Sequence, residues 1–175
     1  FVLPMSFIHT PGLIPTREQE FMEPRQLSDM APRIGSDVFP VWDGVILEEA
    51  QCVHLPHQIL SGKPYPVKGL IGFGLNYRMW PDSNGMLESL KKLDFFVNVD
   101  LFMTDSCKYA DIVLPACSSV ERSELRCYGM GYIILTQPAI PPLYDSRSDV
   151  DIIYELANRL GLDDPLFKAG YEASI

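Results

Sequence analysis

Asp100 is the residue whose position most clearly suggests ligand binding. It follows the run 95–99, whose Phe and Val residues are typical of a buried strand. A carboxylate at the end of such a strand usually points into a crevice, where it can accept hydrogen bonds from a ligand. The simpler alternative is that Asp100 caps the turn formed by Leu101 to Asp105, because Asp often fills that role.

Asn76 stands in a similar place after a second apolar run, 67–73. Gly72 and Gly74 precede it, and such small residues let a ligand approach the backbone. The third glycine of a dinucleotide-binding fingerprint is missing, so the motif alone is weak. The alternative is a tight turn with Asn76 in the left-handed conformation.

Arg122 and Asp149 are the other two candidates, and each has an ordinary structural explanation. Arg122 lies between Glu121 and Glu124, and a charged loop of this kind is usually a solvated network. Asp149 begins a helical pattern and is most simply its N-cap. Composition alone therefore assigns a function to neither residue.

The elements that must position these residues are regular from Val67 onwards. Strands are predicted at 67–73, 95–99, 112–114 and 132–135, and helices at 81–93, 104–110 and 149–160. The inward face of the last helix is predicted to consist of Val150, Ile153, Leu156, Ala157 and Leu160. The alternation predicts an α/β fold, a three-layer Rossmann-like and mainly parallel sheet covered by helices. All four candidates would then lie along the carboxyl edge of that sheet.

The chain before residue 67 lacks this regularity. Residues 1–66 are predicted to be an irregular, Pro-rich lead-in with short helices, one of them over 16–22. Residues 67–162 are the predicted binding segment, and 163–175 a C-terminal tail. Because the chain begins with Phe1 instead of Met, and no helix-start signal opens it, we expect a segment cut from a longer protein.

Composition restricts the classes of partner. The 175 residues, 47% of them hydrophobic, suit one core of ordinary size. A formal net charge of -9 without a Lys/Arg cluster disfavours nucleic acids and anionic membrane surfaces. No apolar run approaches the roughly 20 residues of a membrane span, so we expect no direct membrane insertion. Small molecules and other proteins are the expected partners. The longer protein from which the segment comes could be cytoplasmic or periplasmic, and we call it the parent.

The cysteines and histidines do not form a recognisable metal motif. Cys52, Cys107, Cys117 and Cys127 match neither the paired spacing of zinc sites nor the close clusters of iron–sulfur ligands. They are expected to be ordinary reduced thiols. His54 and His57 would share one helix face but lack a carboxylate partner, so no metal site is predicted.

Three motifs together resemble a known family. They are GLNY at 74–77, DLFMT at 100–104 and YADIVLPA at 109–116. These motifs are similar to those of the molybdopterin oxidoreductases related to dimethyl sulfoxide reductase, formate dehydrogenase and nitrate reductase, and the resemblance covers about 33–162. The chain departs from the family's common sequence in three places. Tyr77 stands where the family often has Pro, and Asp105, Ser106 and Cys107 stand where it commonly has an acidic residue, Thr and Ala. A divergent loop, 125–131, follows Arg122.

The resemblance implies a role for each candidate. In the family, the Asp matching Asp100 accepts hydrogen bonds from the N1–H and the neighbouring amine of guanine. The residues matching Asn76, Arg122 and Asp149 lie beside the cofactor's nucleotide. The implied cofactor is bis-molybdopterin guanine dinucleotide with molybdenum or tungsten, bound in the full-length parent. The remaining domains of that parent, an iron–sulfur cluster outside this segment and electron-transfer subunits would complete the oxidoreductase. The segment alone is expected to be inactive.

Two other classes stay open on the residues alone. A noncatalytic Rossmann-like nucleotide-binding or interaction module would share the same pattern of elements, because fold does not imply function. A small thiol enzyme using Cys107 or Cys117 would need a lowered thiol pKa and an adjacent base, for which the sequence gives no sign.

Overall fold

The computed structural model describes residues 2–4, 33–40, 50–128, 132–163 and 165–170. The strands are β1 (Val2–Pro4), β2 (Gly69–Phe73), β3 (Phe95–Asp100), β4 (Ile112–Pro115), β5 (Glu124–Tyr128) and β6 (Tyr132–Thr136). The α-helices are α1 (Leu55–Ser61), α2 (Ser83–Lys92), α3 (Asp149–Arg159) and α4 (Pro165–Ala169). Short 3₁₀ turns cover Cys52–His54, Tyr77–Met79 and Cys107–Tyr109. The helix predicted over 16–22 lies outside the described residues.

A parallel sheet carries the candidate site. Its strands lie in the order β2-β3-β4, with Phe73 opposite Val99 and Asp100 opposite Pro115. The helix α2 forms the crossover between β2 and β3, as the alternating pattern predicts. Between β3 and β4 the predicted helix over 104–110 is wrong in extent, since only Cys107–Tyr109 is helical and it is a 3₁₀ turn. The α/β fold class is confirmed.

A second, antiparallel sheet was not predicted. Its order is β1-β6-β5, so the segment Val2–Pro4 pairs with β6, and β5 pairs with β6. Only three residues of sequence separate β5 from β6, so the chain reverses direction instead of making the long crossover that a parallel pair needs. The strand pattern over 132–135 therefore belongs to this sheet, and β4 is an edge of the parallel one.

The main core lies between the parallel sheet and α2. Asp82 caps α2 by accepting a hydrogen bond from the backbone N–H of Gly85 at 2.8 Å. The helix then buries Met86 and Leu90 against Phe96 of β3, and none of the three is more than 2% exposed. Helix α1 belongs to the same core, because Leu55 packs against it and the Lys92 ammonium donates to the carbonyl of Leu60 at 2.6 Å.

Helix α3 lies on the opposite face of the sheet and completes three layers. Together with Phe95, Val97 and neighbouring strand residues, it lines an apolar groove of about 540 Å³. Its predicted inward face is only partly right, because Ile152 and Ala157 are buried whereas Ile153 is 44% exposed and Leu160 76% exposed. The buried side of α3 therefore includes Ile152, which the predicted face left out.

Helix α3 is attached to the sheet by a short contact at the end of β4. Arg147 pairs with Ala116 in a parallel bridge, and its N–H donates to the carbonyl of Pro115 at 3.1 Å. The next residue, Ser148, then starts the helix. Helix α3 thus starts directly after a contact between residues 31 apart in sequence, which helical periodicity cannot encode.

Candidate functional site

Asp100 is the last residue of β3, and Asn76 lies three residues beyond the end of the neighbouring parallel strand β2. The N–H of Gly74 donates to the carbonyl of Val99 at 2.8 Å, which ties the loop after β2 to the last residues of β3. The left-handed residue in this loop is Gly74, with φ of 62°, whereas Asn76 is extended with φ of -121°. The alternative of a left-handed Asn76 is therefore wrong, because Gly74 already provides the turn.

Asn76 also has a local structural role. Its Oδ1 accepts a hydrogen bond from the N–H of Arg78 at 3.1 Å and caps the 3₁₀ turn Tyr77–Met79. The N–H of Tyr77 donates to Ser106 Oγ at 3.0 Å, which fixes this loop to the one that follows β3. An amide group carries two donors besides its acceptor, so the cap leaves Asn76 chemically able to contact a ligand.

Asp100 is half-buried and caps the turn that follows it. Its Oδ1 accepts from the N–H of Phe102 and its Oδ2 from Thr104 Oγ1, each at 3.3 Å. The capping alternative is therefore present in the structure. Both contacts are longer than an ordinary charge-assisted hydrogen bond, and a carboxylate has about four acceptor positions. Capping and ligand contact are compatible at this residue.

Asn98, Cys107 and Thr104 form a hydrogen-bonded network next to the turn that follows Asp100. Asn98 of β3 is fully buried, and its Nδ2 donates to Cys107 Sγ at 3.2 Å. Cys107 Sγ in turn lies 3.3 Å from Thr104 Oγ1. Within the described part of the chain, Asn98 Oδ1 is buried without a hydrogen-bond partner. Asn98 was not predicted from the sequence, because an Asn inside a run of Val and Phe residues does not reveal which side chain it contacts.

Beside the same two loops, Arg78 and Lys108 both bond to the carboxylate of Asp105. Asp105 accepts from Arg78 Nε and from Lys108 Nζ, each at 2.6 Å. Hydrogen bonds from Lys108 and Arg78 hold the pKa of the Asp105 carboxyl below its usual value, and Asp105 raises the pKa of both cations. All of these groups are solvated, so the network orients the two loops more than it stabilises them.

Arg122 and Asp149 meet directly. Arg122 Nη1 lies 3.1 Å from Asp149 Oδ2, and Nη2 lies 3.6 Å from Glu124 Oε1. The Arg122 side chain is 22% exposed, and its Nε is buried with no hydrogen-bond partner among the described residues. The N-cap of α3 is Ser148, which accepts from the N–H of Asp151, so the prediction of Asp149 as the cap is wrong. Asp149 occupies the first turn instead, where a negative charge suits the helix dipole.

The backbone brings both pairs to one side of the sheet. The carbonyl of Asp100 accepts from the N–H of Ala116 at 3.1 Å, and Ala116 pairs with Arg147, two residues before Asp149. Arg122 follows the same end of β4. No hydrogen bond or ion pair joins Asn76 or Asp100 to Arg122 or Asp149 in the described ranges, so of the four candidates Arg122 and Asp149 are the two shown in direct contact.

Glu121 is a buried carboxylate, so the interpretation of this charged loop as a solvated network is wrong for this residue. It is 7% exposed. Its Oε2 accepts from the N–H and Oγ of Ser118 at 2.7 and 2.5 Å, and Oε1 from the N–H of Leu143 at 2.7 Å and Ser146 Oγ at 3.4 Å. The bonds from Ser118, then Leu143, outweigh burial and lower the pKa of Glu121 to about 2.

Acid should therefore weaken the protein through Glu121. Its folded pKa lies below the ordinary value of 4.5, so the stabilisation is fully present above that pH and is lost as the pH falls towards about 2. We expect the urea midpoint of the native protein to fall more steeply between pH 5 and pH 3 than that of a Glu121→Gln variant.

The matched control is Glu88→Gln, which removes an exposed carboxylate paired with Lys91 on α2. That variant should follow the native profile. The native protein and both variants share the other charged side chains on the segments around Glu121, so these groups do not contribute to a difference between the profiles. They are Arg122, Glu124, Asp145, Arg147 and Asp149. Parallel profiles for the native protein and Glu121→Gln would contradict a depressed pKa.

The cysteines and histidines give no metal site in the described part of the chain. Cys52, Cys107 and Cys117 are free, and the Cys127 side chain lies outside the described residues. The rings of His54 and His57 lie 4.6 Å apart between centroids. No group of three His, Cys, Asp or Glu side chains suited to a metal ion occurs among the described residues. Among the same residues, no helix is both long and apolar enough to cross a membrane.

The sequence is similar to a known family of enzymes and to several of its members. The sequence model of the molybdopterin oxidoreductases matches residues 59–159, more than half of the chain. The chain is 30% identical over 119 residues to trimethylamine-N-oxide reductase of Pasteurella multocida, a match covering 66% of this chain and 14% of that protein. It is 41% identical over 83 residues to dimethyl sulfoxide/trimethylamine N-oxide reductase of Cereibacter sphaeroides, a match covering 46% of this chain and 10% of the relative.

A solved structure shares the fold. Acetylene hydratase from Pelobacter acetylenicus superposes with a TM-score of 0.62 at 23% identity, over 93% of this chain and 24% of that one. The chain therefore spans a small part of the length of the proteins that it matches.

Proposed function

Because the chain belongs to the molybdopterin oxidoreductase family, we propose that it binds the guanine nucleotide of a molybdopterin guanine dinucleotide within a larger catalytic subunit. Asp100 is assigned to the guanine base, and Asn76 to the neighbouring part of the nucleotide. Arg122 is assigned to the phosphate, ribose or base oxygens of the nucleotide, and Asp149 to the guanosine beside it. The supporting observation is that Asp100 ends β3 and Asn76 follows the adjacent parallel strand β2, at the edge where such sheets bind ligands.

The residues present suit such a group. The Asp100 carboxylate offers two acceptor oxygens side by side, which matches the two adjacent donors of guanine. The buried Nε of Arg122 has no partner among the described residues, and a ligand oxygen could satisfy it. Asp149 keeps the Arg122 guanidinium in one orientation, so the cation is available without a large loss of side-chain freedom.

When bound, the cofactor supplies molybdenum or tungsten redox and oxygen-atom-transfer chemistry. The residues of this segment bind and orient the nucleotide end. Asp100 accepts hydrogen bonds from the base, Asn76 uses its amide donors, and Arg122 donates from a guanidinium that Asp149 orients. The iron–sulfur cluster, the other domains and the electron-transfer partners are proposed to belong to the rest of the parent protein.

Nucleotide selectivity tests the assignment directly. In full-length protein prepared without cofactor, we expect GDP to bind more tightly than IDP, which keeps the N1–H but lacks the exocyclic amine. Loss of one charge-assisted hydrogen bond, roughly 1.5–3 kcal/mol, corresponds to about a tenfold to hundredfold change in Kd. Titration calorimetry with GDP, IDP and ADP makes the measurement.

The matched variant is Asp100→Asn, in which the preference for GDP over IDP should shrink. Equal affinity for GDP and IDP in the native protein would contradict the guanine assignment. Equal affinity for GDP and ADP would leave a site for phosphate and ribose only, and would remove Asp100 from the proposal.

A further inference from the structure

We propose that Glu121 is a positioning residue of the nucleotide site, because its buried carboxylate joins two turns and thereby fixes Arg122 against Asp149. The inference depends on the proposed function only for the ligand; the positioning itself is a property of the protein. Glu121 is adjacent to Arg122 in sequence, so any displacement of its backbone is transmitted to the cation.

The two oxygens of Glu121 hold different segments. Oε2 accepts both hydrogen bonds from Ser118 and so closes the turn 118–121, in which the N–H of Glu121 also donates to the carbonyl of Ser118 at 3.1 Å. Oε1 accepts from the N–H of Leu143 and from Ser146 Oγ. One carboxylate therefore connects the turn that carries Arg122 to the segment that leads into α3 and Asp149.

Backbone contacts extend the same connection. The carbonyl of Val120 accepts from the N–H groups of Ala139 and Ile140 at 2.8 and 3.1 Å. The N–H of Cys117 donates to the carbonyl of Arg147 at 2.8 Å. The segment 139–147 is thus bonded to the loop 117–121 at both of its ends, and Glu121 supplies the contacts between them.

The second turn contains a non-glycine residue in the left-handed region, and the Glu121 carboxylate contacts the residues on either side of it. Tyr144 has φ of 56° and a fully exposed side chain, so no packing of that side chain explains its left-handed backbone. The N–H of Ser146 donates to the carbonyl of Leu143 at 3.1 Å and closes the turn around Tyr144. Non-glycine residues keep such a conformation only where their surroundings impose it, and here the Glu121 carboxylate binds both sides of Tyr144.

The first test measures positioning without any ligand. A double-mutant cycle with Arg122→Ala and Asp149→Ala, measured by urea unfolding, gives the coupling between these two side chains. The cycle is repeated in a Glu121→Gln background. We expect the coupling to be clearly smaller in that background, because the amide cannot accept hydrogen bonds at both oxygen positions. An unchanged coupling would overturn the proposal.

The second test uses GDP as the probe and adds a compensating variant. Glu121→Gln should bind GDP about tenfold more weakly than the native protein. Tyr144→Gly removes the backbone strain, so adding it to Glu121→Gln should restore most of the affinity. Ile59→Val, a mild core change on α1 away from the edge, controls for general loss of stability and should leave GDP binding unchanged.

The outcomes separate the two proposals. Reduced coupling together with no GDP binding by the native protein would support the positioning role and contradict the nucleotide site. Normal GDP binding with coupling that is independent of Glu121 would do the reverse. Equal weakening of GDP binding by Ile59→Val and Glu121→Gln would show that Glu121 acts only through stability, and would overturn the positioning role.

Discussion

Asp100→Asn in the full-length protein is expected to reduce retention of the guanine-containing cofactor about tenfold to hundredfold. A carboxylate offers an acceptor to each of the two guanine donors, whereas Asn must present its amide donors to one of them. The change loses one charge-assisted hydrogen bond of roughly 1.5–3 kcal/mol and leaves a donor unpaired. The measurement is cofactor content after gel filtration, with Asp100→Glu expected to retain more than Asp100→Asn.

The structure supplies a control for the capping role of Asp100. Thr104→Val removes the contact between Thr104 Oγ1 and Asp100 Oδ2 but keeps the carboxylate. If Asp100 reads guanine, Thr104→Val should retain most of the cofactor. If Asp100 only shapes the turn, the two variants should lose cofactor to a similar degree, or Asp100→Asn should lose none while folding normally.

The second large effect concerns stability. Asn98→Asp should destabilise the fold by roughly 4 kcal/mol at pH 7, because burial raises a carboxyl pKa by up to about 3–5 units and each unit is worth about 1.4 kcal/mol. Asn98 is fully buried in β3, and its Oδ1 has no hydrogen-bond partner among the described residues, so a charge there would be uncompensated.

The pH dependence of this variant runs opposite to that of Glu121. The introduced carboxyl has a folded pKa above its unfolded value of about 3.9, so the penalty is full at high pH and shrinks as the pH falls towards that value. Urea unfolding at pH 7 and pH 5 measures the difference. The control Asn98→Leu has the same number and branching of side-chain heavy atoms but no polar group, and it should cost less than Asn98→Asp although its methyl groups are larger. Equal stability of Asn98→Asp and the native protein at pH 7 would show that water or another donor reaches this position.

Local patterns predicted the regular elements well. The apolar runs at 67–73 and 95–99 became β2 and β3, and Asp82 with the spacing of Met86 and Leu90 gave α2. These signals are encoded in adjacent residues, because strand burial and helix capping depend on neighbours within a few positions. The parallel direction of β2, β3 and β4 followed from the alternation of strands and helices, whereas their order in the sheet was not predicted.

The same reasoning failed where the deciding contact is distant in sequence. The attachment of α3 to the sheet includes the pairing of Arg147 with Ala116, and the antiparallel sheet includes a pairing between Val2–Pro4 and β6. Glu121 looked like a solvated charge because its partners at Leu143 and Ser146 lie more than 20 residues away. No periodicity links such positions, so only the assembled fold could identify that carboxylate as buried.

The candidate site divides in the same way. The sequence by itself determined that Asp100 and Asn76 lie at or just beyond strand ends, and its motifs pointed to the family that the comparison confirmed. Only the tertiary structure decided that Arg122 contacts Asp149, that Ser148 and not Asp149 caps α3, and that Glu121 connects the two turns beside them. The physical reason is that a strand end is a local property of the chain, whereas a hydrogen bond between loops exists only after the sheet has brought those loops together.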